Sequence, residues 1–214
     1  MKSSNSYTYI FVIAMAIVSA LMLSVLKISL QERQEFNKLL DTRKNVLKTV
    51  GALKAGMSDM AIEELYQSKF RKNVVTDTEG REREYYIYGS SDSPEGYVLP
   101  VSGKGVWSTI NGFIALESDW NTVRGISFYD HGETPGLGGE IEKDFFSDRF
   151  VGKKIFRDGK LVSVTIAKSK LMKPGEHAVD GLSGASLTTG AVNRLLRDDL
   201  EAYLGMLKEP DREE

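Results

Sequence analysis

An α+β fold is predicted: one N-terminal transmembrane helix, then a soluble domain with a largely antiparallel sheet and flanking helices. Three observations predict it. Residues 7–26 are an uncharged apolar run, the middle of the chain strings together short aromatic and β-branched segments joined by turns, and apolar residues recur at helical spacing on either side of that middle. With 214 residues the chain can bury one sizeable core but hardly two.

The run YTYIFVIAMAIVSALMLSVL has 20 residues, which as a helix rising ~1.5 Å per residue matches the ~30 Å hydrocarbon layer. Tyr7 and Tyr9 suit the headgroup region at one end, and Lys27 can snorkel at the other. A cleaved signal peptide is the competing reading. Its apolar core is usually ~7–15 residues and its start more basic than a single Lys2, so the length favours an anchor. Orientation stays open. Lys27, Arg33, Lys38, Arg43 and Lys44 would draw the following segment to the cytoplasm, but the rule weakens when a long domain follows the helix.

Beyond the anchor, Phe36, Leu39, Leu40, Val46, Leu47 and Val50 keep a helical spacing, so the membrane helix is predicted to continue outward and end at Gly51. Ser58 can cap a second helix to about Phe70, with Ala61, Ile62, Leu65, Tyr66 and Phe70 on one face. Strands are predicted at 85–88, 97–101, 110–117 and 123–129, and Ser118-Asp119-Trp120-Asn121 supplies a hairpin turn between the last two. Another hairpin is expected around Asp158-Gly159-Lys160, followed by Leu161, Val162, Val164 and Ile166 in near alternation. Strands following one another through turns favour antiparallel pairing over a Rossmann domain. A last helix starts after Ser186 and carries Val192, Leu195, Leu196, Tyr203 and Leu204 to about Met206; the tail 209–214 reads as a solvated end.

Composition removes several function classes. Lys and Arg number 28 against 30 Asp and Glu, a net charge of -2 with no basic field for nucleic acid. The absence of cysteine excludes disulfides, thiolate metal sites and thiol nucleophiles, and His131 and His177 alone make a multi-histidine site nearly impossible.

Three segments look like parts of a site. Asp180-Gly181-Leu182-Ser183-Gly184-Ala185-Ser186-Leu187-Thr188-Thr189-Gly190 packs small and hydroxyl residues just before a helix, where free amides suit a phosphate; a plain Ser/Thr helix cap is the other reading. It matches neither a Walker loop nor G-x-G-x-x-G. The segment His131–Glu140 holds four glycines and a proline, which lets backbone approach a flat ligand or simply makes a tight turn; His131 beside Glu133 is a weak metal constellation. In Ser102–Thr109 a glycine turn leads to Trp107, which could stack on a ring system or serve as core.

Gly-Lys-Gly-Val-Trp-Ser at 103–108, Glu-Thr-Pro-Gly-Leu-Gly-Gly-Glu at 133–140 and Asp-Gly-Leu-Ser-Gly-Ala-Ser at 180–186 occur in this order behind the apolar run. Together they closely resemble the NqrC family, the flavin-carrying chains of Na+-translocating NADH:quinone reductases, over essentially the whole chain. The chain resembles more distantly the RnfG family of the Rnf electron-transfer complex, and the 103–108 stretch favours the first family. The resemblance implies an anchor at 1–30, a helical juxtamembrane region at 31–72 and an FMN-binding domain at 73–214. It implies that a flavin transferase moves FMN from FAD onto a hydroxyl through a phosphoester. The acceptor is the last motif residue, threonine in most relatives and Ser186 here.

By the same resemblance Asp180 and Gly181 belong to attachment-motif recognition. Trp107, Ser108, Thr134, Leu137, Ser183, Gly184, Ala185, Leu187 and Thr188 border the cofactor. No residue is assigned proton chemistry at carbon, because electron uptake and release belong to the flavin. The implied role is an electron carrier in a multisubunit membrane enzyme that oxidises NADH, reduces quinone and exports sodium. That enzyme sits in the bacterial inner membrane, with this domain on the periplasmic side. An Rnf-type carrier and a non-redox membrane-anchored binding module are the alternatives.

Overall fold

The computed structural model describes residues 4–77, 79–90, 93–168 and 175–207, so Lys2 and the acidic tail lie outside the described residues. Contacts divide the chain into two compact units, 1–42 and 43–214. The first is most of a single helix, α1 (Ser4–Thr49), in which the run 7–26 is exposed along its length. Among the described residues it is the one helix long and apolar enough to cross a membrane. It continues through the polar stretch as expected and stops at Thr49, two residues before Gly51, which is in the left-handed region at φ 72°.

The second unit begins with the last turns of α1. Val46 and Leu47 are fully buried, and the Thr49 hydroxyl shares a 2.6 Å hydrogen bond with the Ser127 hydroxyl. Helix α2 (Asp59–Lys69) starts where Ser58 caps it by accepting the Ala61 N–H. Five strands then form one antiparallel sheet in sequence order: β1 (Phe70–Thr76), β2 (Glu82–Gly89), β3 (Pro94–Lys104), β4 (Thr109–Glu117) and β5 (Val123–Asp130). Strand β1 is an addition to the expected set. Phe70, expected to close the helix face, opens this strand, and Arg-Lys-Asn after it gave no apolar alternation.

Period-2 alternation sends the two faces of β4 to different partners. Ile110, Ile114 and Leu116 join the main core with Leu99, Val101, Phe146, Phe150, Leu195 and Leu196. Phe113 turns the other way, edge-on to Tyr86 at 6.1 Å and stacked on Tyr129 at 5.1 Å. Each large buried side chain of the core cluster contributes about 1.5–3 kcal/mol relative to exposure, so the cluster fixes which face α4 must cover.

After β5 the chain makes 3-10 turns at Gly138–Glu142 and Asp148–Phe150 around the one-turn α3 (Asp144–Ser147). The hairpin at Asp158-Gly159 forms as β6 (Phe156–Arg157) and β7 (Lys160–Leu161). The alternation expected beyond it is broken. Ser163 is left-handed at φ 58°, and Val162 and Ser163 both donate N–H bonds to the Ile155 carbonyl. The chain resumes as β8 (Thr165–Ala167), which pairs parallel with β9 (Ala178–Asp180), the exception in a largely antiparallel fold.

Helix α4 (Ser186–Ala202) packs on β3, and α5 (Leu204–Leu207) is separate from it. The expected single helix is interrupted at Tyr203, whose hydroxyl donates to the Glu84 carbonyl at 3.0 Å. A buried charge cluster sits beside this end of α4. Asp77 accepts from Arg83 Nε at 2.9 Å, and Arg83 Nη1 reaches Asp199 on α4 at 2.8 Å. Asp199 also accepts the Ser102 N–H from β3 at 2.6 Å.

Candidate functional site

The three segments singled out in the sequence occupy three different loops, and the structure brings them together on one carboxylate. Gly105–Ser108 is the tight turn between β3 and β4, closed by the Gly105 N–H donating to the Ser108 carbonyl at 2.8 Å. His131–Leu137 follows β5, and the Asp-Gly-Leu-Ser-Gly-Ala-Ser segment runs from the end of β9 into α4. Glu133, 5% exposed, stands among them. Its Oε1 accepts the Val106 N–H at 2.8 Å and the Trp107 N–H at 3.3 Å, and its Oε2 accepts the Thr188 hydroxyl at 2.5 Å.

Two glycines make room for this knot. A Cβ on Gly105 would lie 2.5 Å from Glu133 Oε1, and one on Gly138 would collide with the Thr188 hydroxyl oxygen. A second stitch joins the first two loops, where the Gly132 N–H donates to Ser108 Oγ at 2.6 Å. The Pro135-Gly136 pair forms a turn. Gly136 sits at φ 74°, and the Thr134 carbonyl accepts N–H bonds from Leu137 at 3.1 Å and Gly139 at 2.9 Å. That turn presents Leu137 outward, 44% exposed, close enough to the 180–186 segment that a Cβ on Gly184 would lie 3.0 Å from its Cδ2.

The start of α4 settles one of the alternatives. Its N-cap position is held by Ala185, and no side chain caps the helix. Thr189, the hydroxyl best placed to help, turns back to the Ala185 and Ser186 carbonyls, both at 3.1 Å. Ser183 and Ser186 are exposed and Ala185 is buried. The first-turn amides are therefore left without a side-chain acceptor, beside an exposed serine hydroxyl, which is the arrangement a phosphate group fits.

Trp107 is also settled: at 74% exposure it is not core, and with Leu187 at 74% it leaves apolar surface open at the site. An open groove of about 470 Å³ runs along Gly103–Thr109. Thr134 is exposed, and Thr188 is buried with its hydroxyl on Glu133. Asp180 closes β9, and the carbonyls of Asp180 and Gly181 both accept from Arg149 Nη1, at 2.8 and 3.0 Å. The residue that sequence reasoning missed is Glu133, weighed there only as half of a metal pair. Its oxygens are turned to amides and a hydroxyl, while His131 lies 3.8 Å from Glu142. The available signal was the pair of glycines at 105 and 138, both of which leave room for the Glu133–Thr188 contact.

Comparison with known proteins bears on the same residues. Residues 105–201 match the FMN-binding domain family, a span that holds all three loops except the opening Gly103-Lys104. Over the full chain, the C subunit of the Na(+)-translocating NADH-quinone reductase of Pseudomonas aeruginosa is 30% identical, with 97% of both chains covered. Its Yersinia pestis counterpart is 29% identical over 89% of this chain and 86% of that one. The crystal structure of the same reductase component from Parabacteroides distasonis superposes with a TM-score of 0.74 at 29% identity, covering 85% of this chain and 98% of that one. Shewanella oneidensis NqrC shares the fold at a TM-score of 0.68 and 21% identity, covering 78% of this chain and 96% of that one.

Proposed function

Because the chain belongs to the NqrC family of Na+-translocating NADH-quinone reductases, we propose that it is the membrane-anchored electron carrier of such a complex, with FMN held covalently on Ser186. The carrying observation is the uncapped start of α4 at an exposed Ser186, with the Trp107 and Leu137 loops gathered beside it. In maturation the Ser186 oxygen forms the bond to the FMN phosphorus, the pyrophosphate of FAD breaks, and AMP departs as the hydroxyl proton is lost. The first-turn amides of α4 then meet the phosphate negative charge, which favours the helix N-terminus. Bound flavin supplies one- and two-electron redox chemistry.

The protein's own residues tether and orient. Gly184 and Ala185 keep the approach to Ser186 uncrowded, with Asp180, Gly181 and Ser183 as the recognition side of the segment. Trp107, Ser108, Thr134, Leu137, Leu187 and Thr188 form the walls. None of these walls is an acid or base, as suits a carrier that hands electrons between neighbouring redox centres. The run 7–26 is the anchor, and the large domain lies on the periplasmic side of the inner membrane.

Coexpression with a flavin transferase tests the attachment. The chain should carry one flavin that survives a denaturing gel; Ser186→Ala should abolish that fluorescence and Ser186→Thr should keep it. Fluorescence persisting in the alanine variant would move the tether elsewhere. For the membrane placement, protease added to spheroplasts should digest the large domain, and full protection alongside a digested periplasmic control would overturn it.

A further inference from the structure

Glu133 has no task in the function just proposed. Every group that reaches it is a donor: two backbone N–H groups and the Thr188 hydroxyl. It therefore acts as an acceptor only, as an ionised carboxylate does. Among the described residues no Lys, Arg or His side chain forms an ion pair with it, and adjacent His131 faces Glu142 instead. The other deeply buried carboxylates of the fold, Asp77 and Asp199, both meet Arg83. Among the described residues Glu133 is thus a buried carboxylate held by neutral dipoles alone.

Its position makes that charge consequential. Thr188 lies two residues beyond Ser186 on the same helix, and Trp107 belongs to the loop that frames the groove. A buried charge is poorly screened, and its field acts on any neighbouring group whose own charge changes. A flavin held there would become more negative on taking up electrons unless protons followed, and would do so against the Glu133 carboxylate.

Resting on the flavin assignment above, we propose that Glu133 is the positioning residue that ties the Trp107 loop to the start of α4, and that its charge lowers the reduction potential of the flavin at Ser186. Replacing it with glutamine keeps an oxygen acceptor and removes the charge. Thr188→Val does the reverse, keeping the charge and removing a donor that offsets it. Opposite electrostatic changes must give opposite shifts, whereas general loosening of the loop would move both variants alike.

The test uses the full chain, loaded by a flavin transferase and titrated against reference dyes. Glu133→Gln should shift the reduced-to-oxidised ratio toward reduced about tenfold, or about 30 mV for a two-electron couple. Thr188→Val should shift it toward oxidised, and Glu142→Gln, which removes a half-exposed charge next to solvent, should leave it in place. Equal potentials in the parent and Glu133→Gln, or shifts of the same sign in Glu133→Gln and Thr188→Val, overturn the tuning role. If Glu133→Gln carries no flavin, the sign of the Thr188→Val shift decides. In chains made without the transferase, Glu133→Ala should speed hydrogen exchange at the Val106 and Trp107 amides; unchanged rates overturn the positioning role. A parent chain with no flavin on a denaturing gel defeats the attachment reading itself, a result the exchange measurement does not depend on.

Discussion

Two carboxylate centres hold distant segments of this domain together, and they are built from different chemistry. At one end of α4, Asp77 and Asp199 share Arg83, Arg81 Nε also reaches Asp77 at 3.1 Å, and Asp199 takes the Ser102 N–H, so β2, β3 and α4 meet at a cluster in which two guanidinium groups face two carboxylates. At the other end, Glu133 joins the β3–β4 turn to the first turn of α4 through neutral donors only. Charge balance makes the first centre costly to break but electrically quiet. The second trades that balance for a net negative charge beside the proposed flavin tether. A fold can tolerate such a charge when several dipoles point at it, because charge-assisted hydrogen bonds are about twice as strong as neutral ones.

The contrast can be broken most severely at Asp199. Asp199→Ala strands Arg83 with one partner and leaves the Ser102 N–H without its acceptor, and should cost on the order of 3 kcal/mol in chemical denaturation. Flavin attachment in the folded fraction should be unchanged. A loss below the level of an ordinary surface substitution would mean that the cluster is decorative. Glu133→Ala should cost less, about 1–2 kcal/mol, because water at the exposed turn replaces the acceptor for Val106 and Trp107 and only the buried Thr188 hydroxyl is left without one. If it proved the more damaging of the two, the ranking of the two centres would be reversed.

Acid sharpens the same comparison. The Arg83 guanidinium and the Arg81 N–H hold the Asp77 carboxyl well below the usual carboxylate range. A depressed value means that its contribution is complete above the unfolded value of about 3.9 and is lost as pH falls through the folded one. Burial pushes Asp199 up, against its bonds from Ser102 and Arg83. A raised carboxyl works in the opposite sense, contributing stability at low pH that fades as pH rises through its folded value. Asp77→Asn should therefore flatten the fall in urea midpoint below about pH 4, whereas the effect of Asp199 falls above that pH, where its folded and unfolded values bracket the titration. An unaltered acid limb in the variant would assign that limb to other carboxylates.

Much of the architecture was legible because it is written in local pattern. Ser58 caps α2 as its position implied, the four expected strands appear as β2 to β5, and the Asp158-Gly159 hairpin forms. Where the reading failed, a long-range contact had overridden the local pattern. Strand β1 carries only Phe70 as a buried side chain and exists because β2 pairs with it across seven residues. The break at Ser163 follows from two N–H groups converging on Ile155, and the break at Tyr203 lies beside a hydroxyl tied to β2.

The sequence by itself determined the apolar helix, the succession of strands and the three glycine-rich segments, because periodicity, turn residues and caps act over a few neighbouring positions. It also carried the family, through the order of those segments. Only the tertiary structure decided that Ala185 leaves α4 uncapped at Ser186, that Trp107 is exposed, and that residues 106, 107, 133 and 188 meet on one carboxylate. Those contacts join positions 26 to 55 residues apart in the Glu133 bonds alone, and no local periodicity records them. What brings them together is the burial of the core face of β3, β4 and β5 beneath α4, which sets the height and angle at which each loop emerges.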